Sequence, residues 1–218
     1  MDDFERHLAE ILPEKDSLRL VKAEAARYAG AHTHAQCLQT GFLLYGSENF
    51  QIQEAGVLLL SYAAHAEPEA LAFLRETVSA HENWKVQEVL AMAFDNHCRI
   101  AGYEQSLPLI HDWLSDGRAN VRRAVSEGLR IWTSRPYFRE HPKEAIAILA
   151  AHREDKSAYV RRSVGNALKD IGRKYPHLLC EELRDWDLSS QAAKQVYGLA
   201  CKHLPDHCGL EAGRVPSR

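Results

Sequence analysis

Four segments of this chain are variants of one another, and that repetition limits the possible folds more than any other feature. The third copy, from Asn120, reads Asn-Val-Arg-Arg-Ala-Val-Ser-Glu-Gly-Leu-Arg-Ile. Its relatives are Gln-Ile-Gln-Glu-Ala-Gly-Val-Leu-Leu-Leu from Gln51, Lys-Val-Gln-Glu-Val-Leu-Ala-Met-Ala-Phe from Lys85 and Tyr-Val-Arg-Arg-Ser-Val-Gly-Asn-Ala-Leu from Tyr159. Aligned on a β-branched anchor (Ile52, Val86, Val121, Val160), the copies are separated by steps of 34, 35 and 39 residues. A period of this length is the signature of stacked helical repeats. Offsets +3, +4, +7 and +8 from each anchor are small or apolar in every copy, for example Ala124, Val125, Gly128 and Leu129. That spacing is one stripe of an α-helix. Offset +2 holds Glu54, Glu88, Arg123 and Arg162, charged every time, and is predicted to form a polar column on another face.

Turn and cap residues divide the rest into helices. A short amphipathic segment over 2–12 stops at Pro13, and a second helix runs from Asp16 or Ser17 towards Gly30. A third covers 35–45 before Gly46-Ser47. Repeat helices are predicted over 49–65, 83–100, 120–132 and 157–173, with partners from Pro68, over 104–114, over 142–152 and from Pro176. The segment 133–142 is expected to be irregular, and a last helix over 188–203 to close the stack. No strand-like alternation of useful length is present. The expected fold is all-α, a HEAT-like solenoid of antiparallel helix pairs whose concave face is lined by the repeat helices. The expected organisation is a single repeat domain over 1–205 followed by a flexible tail over 206–218.

The formal net charge of −3 conceals an asymmetry. Between Arg118 and Lys174 there are 14 Lys or Arg against 6 Asp or Glu, while the remainder has 13 against 24. A basic stretch of this kind fits a polyanionic partner, and equally fits ordinary solvated helix faces. The five cysteines, at 37, 98, 180, 201 and 208, are dispersed, which suggests reduced thiols in a cytosol. The N-terminus is acidic where a secretion signal would be basic, and no apolar run approaches the roughly 20 residues of a membrane span. The expectation is a soluble, cytoplasmic protein with no membrane association. Cys201, His203, His207 and Cys208 have zinc-type side chains, but their spacing matches no standard finger, and no metal is expected.

Three helical lines carry groups with possible chemistry. Trp84, Glu88 and Asp95 fall on one face of the second repeat helix, as do Arg123, Glu127 and Arg130 on the third. Arg162, Asn166, Asp170 and Arg173 form a similar line on the fourth, with Lys169 adding a further cation to that helix. Arg122 and Arg161, at offset +1, are expected to flank the column as phosphate contacts. All of these also read as intrahelical ion pairs that solvate a helix face.

The tandem runs Val-Arg-Arg-Ala-Val-Ser-Glu-Gly-Leu-Arg and Tyr-Val-Arg-Arg-Ser-Val-Gly-Asn-Ala-Leu-Lys-Asp-Ile resemble the DNA alkylation repair family of HEAT-like DNA glycosylases, the AlkC and AlkD type. The resemblance covers roughly 35–186 and is strong over 83–175. It implies a basic concave surface for duplex DNA, damaged or branched, and removal of N-alkylated, positively charged bases by a monomer without cofactor. Trp84 with Glu88 matches the AlkD pairing of tryptophan and aspartate, the acid being one carbon longer. The second AlkD tryptophan corresponds to Asn166. Ser126-Glu127-Gly128 and Ser163-Val164 with Asn166 and Asp170 are similar to the AlkC branch, whose following tryptophan corresponds to Arg135, with Trp132 close by in sequence. The implied catalytic groups are Glu88, Trp84, Glu127 and Asp170. The implied DNA contacts are Arg122, Arg123, Arg130, Arg161, Arg162, Lys169 and Arg173, and the lesion neighbours Asn166, Trp132 and Arg135. Two other readings stay open: a relative that binds duplex or branched DNA without excision, and a protein-interaction scaffold.

Overall fold

The computed structural model describes residues 3–13 and 15–204. Among these residues there are thirteen α-helices, three short 3-10 turns and no strand, an all-α helical repeat as the periodicity requires. The chain divides into two compact units, the first ending at Gly102 and the second beginning at Tyr103. The tail predicted over 206–218 and two members of the Cys/His group, His207 and Cys208, lie outside the described residues.

The first unit comprises α1 (Asp3–Ile11), α2 (Leu18–Ala31), α3 (His34–Tyr45), α4 (Phe50–Ala63), α5 (Pro68–Glu76) and α6 (Trp84–Ala101). Its centre is α4, which touches each of the other five helices. Every residue from Glu54 to Ser61 is buried, so this helix is apolar nearly all round, as a fully enclosed helix must be. The stripe residues Ala55, Leu59 and Leu60 of α4 and Val89, Leu90 and Phe94 of α6 are closed to solvent. Helix α3 approaches α4 at two glycines. A methyl group on Gly56 would lie 2.7 Å from the Gly41 carbonyl and 2.8 Å from the Tyr45 amide, neither of which can rotate away. Gly56→Ala is therefore expected to destabilise the protein by about 1–3 kcal/mol despite the better helix propensity of alanine. Gly30, with open space around it, is the control and should tolerate alanine without loss. Urea unfolding of the two variants measures the difference.

The second unit comprises α7 (Leu107–Leu114), α8 (Ala119–Gly128), α9 (Pro136–Glu140), α10 (Pro142–Ala150), α11 (Ala158–Gly172), α12 (Pro176–Arg184) and α13 (Gln191–Ala200). Here α11 is central and packs on α8, α10, α12 and α13. Helix α8 was expected to continue to Trp132 but ends at Gly128. The Trp132 indole is fully buried and donates from Nε1 to the Ser126 carbonyl at 3.3 Å, which turns the chain back beneath its own helix. The segment expected to be irregular instead contains α9, begun by Pro136 at the position where a missing N–H is harmless.

All four repeat helices are entered through the same local structure. Five residues before each anchor stand Ser47, His81, Asp116 and Asp155, and each side chain accepts from the amide two residues on. The carbonyls of these four residues accept in turn from the side chain at offset +1. Gln53 reaches Ser47 at 2.7 Å, Gln87 reaches His81 at 2.6 Å, Arg122 reaches Asp116 at 2.8 Å and Arg161 reaches Asp155 at 2.6 Å. Offset +1 thus closes the loop ahead of each repeat helix.

Cys37, Cys98 and Cys201 carry free thiols, whereas Cys180 is disulfide-bonded, so the expectation of reduced thiols throughout fails there. Spacing along a chain does not show which sulfurs a fold brings together. No described helix is long and apolar enough to cross a membrane.

Candidate nucleic-acid interface

In the first unit the exposed chemistry starts at the N-terminus of α6. The Asn83 side chain accepts from the Lys85 amide at 3.0 Å and caps this end. Trp84, the first helical residue, is 62% exposed, an unusual state for so large an apolar side chain. Glu88 follows one turn later on the same face and is half-buried. Between the aromatic rings of this region lies Lys85, 4.4 Å from the Phe50 ring centre, 6.0 Å from that of Trp84 and 3.0 Å from the Asp16 carboxylate.

The predicted +2 column is not a common surface. Glu54 is 1% exposed, one of its oxygens has no hydrogen-bond partner, and burial pushes its pKa up to about 7, with Asp16 adding and Lys85 opposing. Arg123 is 6% exposed and packs its guanidinium 4.4 Å from the ring of Tyr159. Of the four, only Arg162 is exposed, while Glu88 is half-buried. The alternation arises because +2 falls at the edge of the stripe, where the neighbouring helix decides what is covered.

Offset +1 also differs from expectation. Arg122 is 4% exposed and makes a bidentate pair with Asp155 at 2.6 and 2.8 Å while holding the Asp116 and Gly117 carbonyls. Burial alone would raise the Asp155 pKa, but the bonds from Arg122 and the Ser157 amide hold it below the ordinary aspartate range. Arg161 divides its guanidinium between the Asp155 carbonyl and Gln195 Oε1, 2.9 Å away. These two arginines close loops and join adjacent repeats, so they do not present their guanidiniums as the expected phosphate contacts.

At the C-terminal end of α8, in the loop just after it and on α11, the remaining charges converge. Arg130 donates to Glu127 at 2.9 Å and to Asp170 at 2.8 Å, and Arg173 approaches Asp170 at 3.6 Å. Burial works against the Arg130 cation, but its two carboxylate partners more than offset that and raise its pKa. The second Glu127 oxygen accepts from the Ser163 hydroxyl at 2.8 Å, and Ser163 accepts from Ser126 at 2.9 Å. Asn166 bonds Lys169 at 2.8 Å, and Arg173 contacts His203 at 2.8 Å. Arg135 braces the loop after α8 through the Gly128 and Arg130 carbonyls, at 3.3 and 3.4 Å. Glu127, Arg130, Asp170 and Arg173 are therefore brought together, whereas Trp132, expected beside the lesion, is enclosed in the core.

Sequence reasoning missed Tyr159. The signal was available, since Phe50, Trp84 and Tyr159 all stand in the first turn of a repeat helix. Among the described residues no group of three or more His, Cys, Asp or Glu side chains could hold a metal ion.

Fold and site together define a helical-repeat protein whose candidate chemistry rests on carboxylates, guanidiniums and an exposed indole. The chain belongs to the DNA alkylation repair enzyme family, whose model matches residues 20–196. It is similar to AlkD2 from Streptococcus mutans, with 41% identity and a TM-score of 0.88 over 92% of this chain and 97% of that one. The fold is shared with Pseudomonas fluorescens alkylpurine DNA glycosylase AlkC, solved bound to DNA containing an abasic site analogue. That likeness has 22% identity and a TM-score of 0.56, over 90% of this chain and 49% of that one. The Bacillus subtilis protein YhaZ is 30% identical over 136 residues, 61% of this chain but only 37% of YhaZ, so the chain spans a little over a third of that relative.

Proposed function

We propose that this protein binds double-stranded DNA and hydrolyses the N-glycosidic bond of cationic N-alkylated bases, of which 3-methyladenine is the type. Membership of the DNA alkylation repair family supports the repair role. The observation that carries the glycosylase reading is the exposed Trp84 indole one turn from the Glu88 carboxyl on α6. A base alkylated on a ring nitrogen is positively charged and leaves with the glycosidic electron pair as a neutral molecule, so no general acid is needed. The sugar left behind develops oxocarbenium charge, which the Glu88 carboxylate stabilises. Water adds to the anomeric carbon and its proton passes to Glu88 or to solvent. The Trp84 ring holds the cationic sugar or base, a contact of about 0.5–2 kcal/mol. We read the protein as a cytoplasmic monomer acting on damaged or branched duplexes without a cofactor.

A second reading, DNA binding without excision, is favoured by one observation. Glu127 and Asp170 both engage Arg130, so two of the expected acids are neutralised within the protein. The deciding experiment is incubation with methylated duplex DNA and chromatography of released bases. Release of 3-methyladenine is expected, with none of uracil or hypoxanthine, whose neutral bases would need an acid. Glu88→Gln should lower the release rate by about 10²–10³-fold while leaving duplex affinity nearly unchanged. An unaltered rate would remove Glu88 from the mechanism. No release from the native protein, with DNA binding retained, would establish the second reading.

A further inference from the structure

Tyr159 is 41% exposed. One face of its ring is covered by Arg123, whose guanidinium lies 4.4 Å from the ring centre and is itself almost closed to solvent. A buried cation beneath an aromatic ring fixes the ring's orientation and is a stronger contact than the same pair in water. Arg162, one turn further along α11, is exposed, and no hydrogen bond or ion pair holds its guanidinium among the described residues. The second unit therefore presents a braced aromatic plane with a free guanidinium beside it. Neither is taken up by the Glu127–Arg130–Asp170 network or by the loop-closing arginines.

We propose that Tyr159 is a stacking platform for an unpaired nucleobase, with Arg162 holding the phosphate of the same nucleotide. A base that has left the duplex stack has two exposed π-faces, and an aromatic side chain takes one of them regardless of base identity. Arg123 is the positioning residue: held under the ring, it leaves the opposite face for the ligand and adds a cation to the stack. Such a subsite selects DNA with a single-stranded arm or an unstacked nucleotide over intact duplex. It deepens the DNA-binding reading and is independent of whether Glu88 catalyses excision.

The test uses the full chain and two probes without an alkylated base, a short single strand containing 2-aminopurine and a blunt duplex of the same sequence. Binding of the single strand should change the 2-aminopurine fluorescence, because the fluorophore stacks on the ring. Tyr159→Ala should weaken single-strand binding by about tenfold or more and abolish that change, while Tyr159→Phe retains both. Arg162→Ala should reduce the salt slope of single-strand binding by about one charge. Duplex affinity should change far less than single-strand affinity in Tyr159→Ala. Tyr159→Leu repeats the comparison with an apolar side chain should alanine perturb folding. Unchanged single-strand binding and fluorescence in Tyr159→Ala would overturn the proposal. Equal loss of both probes would overturn it too, and failure of the native protein to bind either probe would count against the DNA-binding reading itself.

Discussion

Arg122→Ala is expected to lower the stability of the protein by about 3–5 kcal/mol, enough to lower the melting temperature by about 6–20 °C. The substitution leaves the nearly buried Asp155 carboxylate with only the Ser157 amide at 2.7 Å and takes the guanidinium from the carbonyls of Asp116 and Gly117. The buried charge dominates, because an uncompensated carboxylate costs more than the pair contributes when intact. Arg122→Lys should recover only part of the loss, since an ammonium cannot fork to both carboxylate oxygens and reach the carbonyls. The Asp155 pKa is depressed, so the pair's contribution is present above the unfolded aspartate value of about 4. It is lost as pH falls through the lower folded value. Urea titrations followed by circular dichroism measure this, and a change below about 1 kcal/mol would show that Arg122 is a surface cation after all.

The second large effect has the opposite sign. Glu54 is buried in α4 with an unbonded oxygen, and its pKa is raised to about 7. A carboxyl with a raised folded pKa gives stability that is fully present below its unfolded value, near about 4.3. That stability is lost as pH rises through about 7. From the width of this window the loss is roughly 4 kcal/mol at most. Glu54→Gln removes the titration. It is expected to be more stable than the native chain by about 1–3 kcal/mol at mildly alkaline pH and to show little difference in acid. The measurement is the urea midpoint as a function of pH for both proteins. Parallel curves would place Glu54 in contact with a compensating partner.

The repeat helices were legible because their stripe obeys a local rule. Offsets +3, +4, +7 and +8 are set by helix geometry, and all these positions are buried except Gly128, which is half-buried. The end of α8 was not legible, because it depends on the Trp132 indole finding the Ser126 carbonyl, a contact no periodicity encodes. The polar positions divided in the same way. Glu127, Arg130 and Asp170 lie together as their spacing suggests, whereas Arg122 and Arg161 are charged residues whose place is inside. A charge symbol in a sequence does not distinguish a solvated guanidinium from one satisfied by carbonyls. Glu54 gives the clearest instance, a carboxylic acid that was assigned to a surface and belongs to the core.

The bond from offset +1 back to the preceding loop has a consequence for how the array holds together. In the first unit the residue is glutamine, whose amide closes its own loop through Ser47 or His81. In the second it is arginine, and the longer fork also reaches forward, from Arg122 to Asp155 and from Arg161 to Gln195. Exchanging an amide for a guanidinium turns a bond within one repeat into a nearest-neighbour coupling between repeats. In a linear array that coupling sets how far a local opening spreads. Helices α8, α11 and α13 should accordingly exchange their amide hydrogens as one block, and Arg122→Gln should let α8 open without α11. The choice between two side chains at one position would then determine the size of the cooperative unit.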